Sequence, residues 1–149
     1  MAQRMNMAVV APELFKTVMG LETYLRGQVD PTLLHLVKLR ASIVNECGFC
    51  VDMHSTEAMK EGERPERLFA VAAWRESPSF TETERAALAL TDAATRLGPD
   101  GVPDDVWEQA SAVFDDAQLI HLVGAIGMIN LWNRLMISAR TTPMYATAA

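Results

Sequence analysis

Proline, glycine and capping residues cut this sequence into short segments, and each segment repeats apolar residues at the three-to-four-residue rhythm of a helix. No run alternates in the way a strand of useful length would. Pro12 suits the first position of a helix, where its missing N–H costs little. Leu14, Phe15, Val18 and Leu21 or Glu22 carry the rhythm to a stop at Gly27. Asp30-Pro31 opens a second helix, as N-cap and first residue, with Leu33, Leu36, Val37, Leu39, Ile43 and Val44 as its buried face. A third runs from about Gly48 to Lys60 and closes at Gly62. A fourth runs from about Pro65 to Arg75, with Leu68, Phe69, Ala72 and Trp74 as packing residues, and breaks at Ser77-Pro78.

Thr81 and Glu84 have the spacing of a capping box before the stripe Leu90, Ala93, Ala94 and Leu97, which stops at Gly98-Pro99. Pro103 starts a helix carrying Val106, Trp107, Ala110 and Phe114. Asp115 and Gln118 form a second capping box, with Phe114 placed to staple onto Leu119. From Leu119 to Ile137 the last helix is apolar almost all round, the pattern of a central or interface helix, and Gly124 and Gly127 would admit a close neighbour. The tail after Thr142-Pro143 is expected to fray. The expectation is one all-α domain over residues 1–149, a bundle of six or seven helices that oligomerises.

Composition narrows the function classes. At 149 residues the chain can bury roughly 68% of its unfolded surface, enough for a core without staples. Half of it is hydrophobic and the net charge is -6, which excludes intrinsic disorder and, with no basic tract, a general nucleic-acid binder. The start, Met1 to Val10, lacks the apolar core of a signal peptide, and the apolar run Leu119–Ile129 is short for a bilayer. A cytoplasmic protein without a membrane partner is expected.

Two cysteines cannot build a disulfide framework, so their placement matters more than their number. Cys47 and Cys50 lie three residues apart, and His54 follows four residues later. On a helix these spacings put all three on one face. A helix N-terminus and a nearby imidazole both favour a thiolate, so the pattern suits a dithiol that cycles between reduced and oxidised forms. Two other readings share it: a pair of buried small apolar residues, or half a zinc site with His54 as third ligand. His121, on the last helix, reads as a core histidine. Asn130 and Asn133 read as buried or interface hydrogen-bonding groups, and Lys38 with Arg40 as too small a patch for nucleic acid.

The motif Cys-x-x-Cys-x-x-x-His, with Leu36 to Ser42 before it and Ser55 to Ala58 after it, resembles the AhpD-like core of the carboxymuconolactone decarboxylase superfamily. The likeness continues through Ala73–Glu76, Phe80–Leu88 and Ile129–Arg134, and so covers about residues 30–140. It implies a helical fold assembling into trimers or hexamers, and a thiol-dependent hydroperoxide reductase with an antioxidant role. Carried over by position, Cys50 resembles the peroxidatic cysteine, Cys47 its resolving partner and His54 the proton-relay histidine. No cofactor is implied. The substrate would be a hydroperoxide, and electrons would come from an external dithiol on a thioredoxin-like or lipoyl-bearing partner.

The decarboxylase branch lacks the dithiol. A lyase on the same scaffold and a non-enzymatic oligomeric redox sensor are the alternative readings. The chain departs from the family at the relay glutamate, twelve residues before the first cysteine, where His35 stands. Glu46 occupies a position where the family commonly has glycine, and Phe49 replaces a second relay histidine. His35 can pass a proton near neutral pH, and Glu46 is a candidate for the missing carboxylate.

Overall fold

The structure, a computed structural model, describes residues 2–143. The fraying expected past Pro143 lies outside them. Among the described residues there are eight α-helices, one 3-10 turn and no strand: α1 (Met7–Val10), α2 (Pro12–Arg26), α3 (Pro31–Val44), α4 (Gly48–Lys60), α5 (Pro65–Ala70), the turn Val71–Ala73, α6 (Glu82–Thr95), α7 (Asp104–Ser111) and α8 (Asp116–Ala139).

The all-helical expectation holds, with eight α-helices among the described residues where six or seven were foreseen. Asn6 adds α1, its side chain accepting from the backbone N–H of Ala8 at 3.0 Å. The fourth segment is shorter than Pro65–Arg75, because Arg40 Nη1 donates to the carbonyls of Val71 and Ala72 and diverts them from a continuing helix. The start signals act as expected. Asp30 accepts from Leu33 N–H, and both capping boxes, Thr81 with Glu84 and Asp115 with Gln118, close reciprocally. Each such cap is worth about 1 kcal/mol.

α3 is the hub. Every residue from Leu33 to Leu39 is buried, so both its faces carry core. On one side Leu33, Leu34 and Val37 pack with Leu90, Leu122 and Ile126 of α6 and α8. On the other, Leu36 and Leu39 pack with Leu68, Val71, Trp74 and Leu88. Burying each such leucine or isoleucine stabilises the fold by roughly 1.5–3 kcal/mol. Asp92 on α6 ties the second core together, accepting from Arg40 Nε at 2.5 Å and from Trp74 Nε1 at 3.2 Å.

α8 is packed against α2, α3, α4, α6 and α7. Gly124 meets the Leu25 side chain of α2, whose Cδ2 would stand 3.1 Å from an added Cβ, whereas Gly127 faces open space. With 24 residues, α8 is long and apolar enough, by length and composition, to cross a membrane, which the shorter run Leu119–Ile129 did not indicate. Its Asn130 and Asn133 are nonetheless buried and hydrogen-bonded to Thr95 and Ser42.

Candidate active site

The chain reverses between α3 and α4 in a tight turn. Asn45 ends α3, Glu46 takes a left-handed backbone with φ of 58°, and Cys47 N–H donates back to Ser42 O at 2.9 Å. The Asn45 side-chain amide donates to the side-chain oxygens of Asn130 and Asn133, each at 2.9 Å, and so fastens the turn to α8. Cys47 is the N-cap of α4, and Cys50 lies in its first turn.

Both thiols are buried, and their sulfurs stand 2.6 Å apart. Cys47 is pushed below the ordinary thiol range, first by the Cys50 side chain and with help from Asn133. Cys50 is pushed up, by the same contact and by burial. The two thiols therefore titrate as a pair, in which Cys47 is the one disposed to lose its proton and carry the charge. The positive end of α4 favours that charge.

One turn further along α4, His54 is 3% exposed, and neither ring nitrogen has a hydrogen-bond partner. Burial pushes its imidazole below the usual histidine value, so the neutral ring is favoured. Its Nδ1 stands 3.7 Å from Glu57 Oε2.

Glu57 is the near end of a chain of alternating charges. It accepts from Arg26 Nη2 at 3.2 Å, and Arg26 Nε donates to Glu22 at 3.0 Å. Glu22 also accepts from Lys38 Nζ in a very short contact, and from Trp132 Nε1 at 3.2 Å. His54, and then Arg26, hold the Glu57 carboxyl down at about 2. Burial would raise Glu22, but Lys38 and Arg26 hold it below the usual carboxylate value. Lys38 is lowered by its own burial.

A cavity of about 510 Å³ opens onto this cluster. Cys50 and His54 line it together with Phe15, Met19, Phe49 and Trp132, whereas Cys47 does not. Its size and apolar walls suit a small organic molecule. Among the described residues no three His, Cys, Asp or Glu side chains converge as a metal-binding set.

The structure thus brings together Cys47, Cys50 and His54, and places the other two sequence candidates elsewhere. His35 is buried, but its Nε2 pairs with Glu61 Oε2 at 2.7 Å, in a smaller cleft that does not include either cysteine. Helical geometry turns this part of α3 toward the C-terminal end of α4. Glu46 is exposed, and its left-handed backbone gives a conformational reason for glycine at that position. His121 meets the Tyr24 hydroxyl, 3.0 Å from Nε2.

Sequence reasoning did not single out Glu22, Arg26, Lys38 or Glu57 as site residues. A signal existed for Glu22, a carboxylate at a position where the α2 rhythm demands a buried residue. Glu57, three residues after His54, could also have been placed on the same helix face.

Comparison with known proteins shows the family to which this chain belongs. The model of the carboxymuconolactone decarboxylase family matches residues 12–93, which hold both cysteines, His54 and the whole charge chain. YdfG of Bacillus subtilis, an uncharacterized protein, is 36% identical over 139 residues, 93% of this chain and 95% of YdfG. Among solved structures, ATU0492 of Agrobacterium tumefaciens is a protein of unknown function proposed to be the antioxidant defence protein AhpD. It superposes with a TM-score of 0.92 at 43% identity, covering 95% of this chain and 98% of its own. The debrominase Bmp8 superposes with a TM-score of 0.82 at 19% identity, covering 91% of this chain and 73% of its own, a likeness of fold alone.

Proposed function

We propose that this chain, which belongs to the carboxymuconolactone decarboxylase family and to its AhpD-like branch, is a thiol-dependent hydroperoxide reductase that cycles through a Cys47–Cys50 disulfide. Family membership supports a peroxidase-related role. The observation that carries the finer reading is the pair of adjacent sulfurs at a helix N-terminus, of which only Cys50 opens into the apolar cavity beside a neutral His54.

In this reading the Cys50 thiol gives its proton to the neutral His54 as its sulfur attacks the terminal peroxide oxygen, the O–O bond breaks, and the leaving alkoxide takes that proton to depart as an alcohol. Cys50 becomes a sulfenic acid. The Cys47 thiol attacks its sulfur, expelling water and forming the disulfide. An external dithiol, carried by a thioredoxin-like or lipoyl-bearing protein, then returns two electrons and two protons by exchange. A reducing, cytoplasmic setting would keep the pair primed. Exposed Ile120, Leu131 and Ile137 on α8 are the apolar surface on which copies of the chain would assemble, as a trimer or hexamer.

The test is a turnover assay with several organic hydroperoxides and a defined dithiol. Cys50→Ser is expected to abolish turnover, and Cys47→Ser to allow one oxidation per chain and then stall. Stoichiometric oxidation of the wild type without turnover would replace this reading with a redox sensor. Activity that survives alkylation of both thiols would replace it with a lyase.

A further inference from the structure

We infer that Glu57 is a positioning residue: its carboxylate, clamped by Arg26, holds Nδ1 of His54 so that Nε2 takes the Cys50 thiol proton, and the three residues form a thiol–imidazole–carboxylate relay along one face of α4. The inference rests on the proposed role of Cys50 as the reactive thiol, and it gives the site a carboxylate that neither His35 nor Glu46 supplies.

Cys50, His54 and Glu57 stand at i, i+4 and i+7 of one helix, so they share a face. Helical side chains lean toward the N-terminus, so Glu57 leans back over His54 and His54 leans back over Cys50. The observed contact has that sense: Nδ1 is the ring nitrogen that faces Glu57, at 3.7 Å. A small rotation of the carboxylate brings this into hydrogen-bond range, and such contacts are commonly loose before substrate binds.

The second observation is the unmet demand of His54. A neutral imidazole has one N–H to donate and one lone pair to fill. In this ring both nitrogens are buried without a partner. Donation from Nδ1 to Glu57 satisfies the first need and leaves Nε2 with its lone pair free for the thiol proton. When that proton arrives, the imidazolium sits beside a carboxylate that the Arg26 guanidinium, at 3.2 Å, also favours in its charged form.

Glu57 cannot swing away easily. Arg26 on α2 grips it, Glu22 grips Arg26, and Lys38 on α3 with Trp132 on α8 grips Glu22. The groups facing His54 are therefore Cys50 and Glu57 from its own helix, Glu22 and Arg26 from α2, and Lys38 from α3; α8 contributes Trp132 and Met136 to the cavity, neither of which titrates. The two cations and two anions balance, so Glu57 biases His54 within a site of little net charge.

The experiment measures iodoacetamide alkylation of Cys50 against pH in the full chain, with the modified cysteine assigned by mass spectrometry, for wild type and Glu57→Gln. It needs no peroxide and no reductant, so it stands even if peroxidase turnover fails. Loss of the carboxylate should move the reactivity midpoint up by about one pH unit and slow alkylation at pH 7 about tenfold. A carboxylate acting only as a nearby negative charge predicts the opposite sign, because its removal would make the thiol easier to ionise. A midpoint that stays put or falls overturns the relay. A second measurement needs no variant: the ¹⁵N shifts of His54 in the wild type should report the Nδ1–H tautomer, and an Nε2–H tautomer overturns the inference.

Discussion

Two buried histidines sit beside two glutamates in this molecule, and they are in opposite states. His35 on α3 closes a hydrogen bond of 2.7 Å with Glu61, whose own side chain is half-exposed, in a cleft of about 140 Å³. His54 on α4 stands 3.7 Å from Glu57, has neither nitrogen satisfied, and faces a cavity of about 510 Å³ that also contains a thiol. The first pair ties α3 to the end of α4 and the second spans one turn of α4, and only the second leaves bonding capacity unspent. A satisfied histidine holds structure together. An unsatisfied one at the wall of a cavity is poised to exchange a proton. Residue type and burial alone would have ranked the two alike.

The strongest way to break the second region is to unbalance the charges beneath it. Lys38→Met leaves Glu22 buried with one fewer counter-charge, and should lower unfolding free energy by roughly 3–5 kcal/mol, the usual cost of breaking a buried ion pair from one side. Urea denaturation of the purified variant checks this. The double variant Glu22→Leu with Lys38→Met should recover much of the loss, because an apolar replacement of both partners leaves no orphan charge. A single variant as stable as wild type would show that solvent reaches the pair.

The comparison itself is tested by matched substitutions. His54→Gln should slow Cys50 alkylation and peroxide turnover by roughly 10²-fold, the usual contribution of a general base. His35→Gln should leave both rates near wild type and reduce thermal stability, because it weakens the contact between α3 and the end of α4. If His35→Gln proved the slower enzyme, the roles assigned to the two histidines would have to be exchanged.

What the sequence disclosed follows the range of the interaction. Asp30, Thr81 with Glu84, and Asp115 with Gln118 announce helix starts because a cap bonds within three residues of itself. The Cys47, Cys50 and His54 grouping was legible for the same reason, being the property of a single helix. Leu14, Phe69 and Leu97 fit the apolar rhythm and yet are exposed, since rhythm assigns a face but not what covers it. Arg26 and Lys38 were illegible as site residues: one on α2 and one on α3, they come together only through their side-chain contacts with Glu22, whose own signal was a carboxylate on a buried face. Glu57 lay within reach of a local argument, but a glutamate after a histidine reads as a solvated charge until Arg26 is seen to hold it.

The smallest expected effect concerns the turn that presents the cysteines. Glu46 is held at φ of 58°, a conformation that costs a residue with a Cβ roughly 1–2 kcal/mol. Glycine adopts it freely but gains entropy in the unfolded chain, which offsets about 0.4–1 kcal/mol of the relief. Glu46→Gly should therefore stabilise the protein slightly, by about 0.5 kcal/mol, read as a small rise in the urea midpoint. Because the Glu46 side chain is exposed and Cys47 N–H is already bound by Ser42 O, the same variant should alkylate at Cys50 at the wild-type rate across pH. A tenfold loss of reactivity would instead place the Glu46 carboxylate in the chemistry and take that role from Glu57. An unchanged rate with a gain in stability assigns the position to backbone geometry and takes Glu46 out of the contest with Glu57 for the relay's carboxylate.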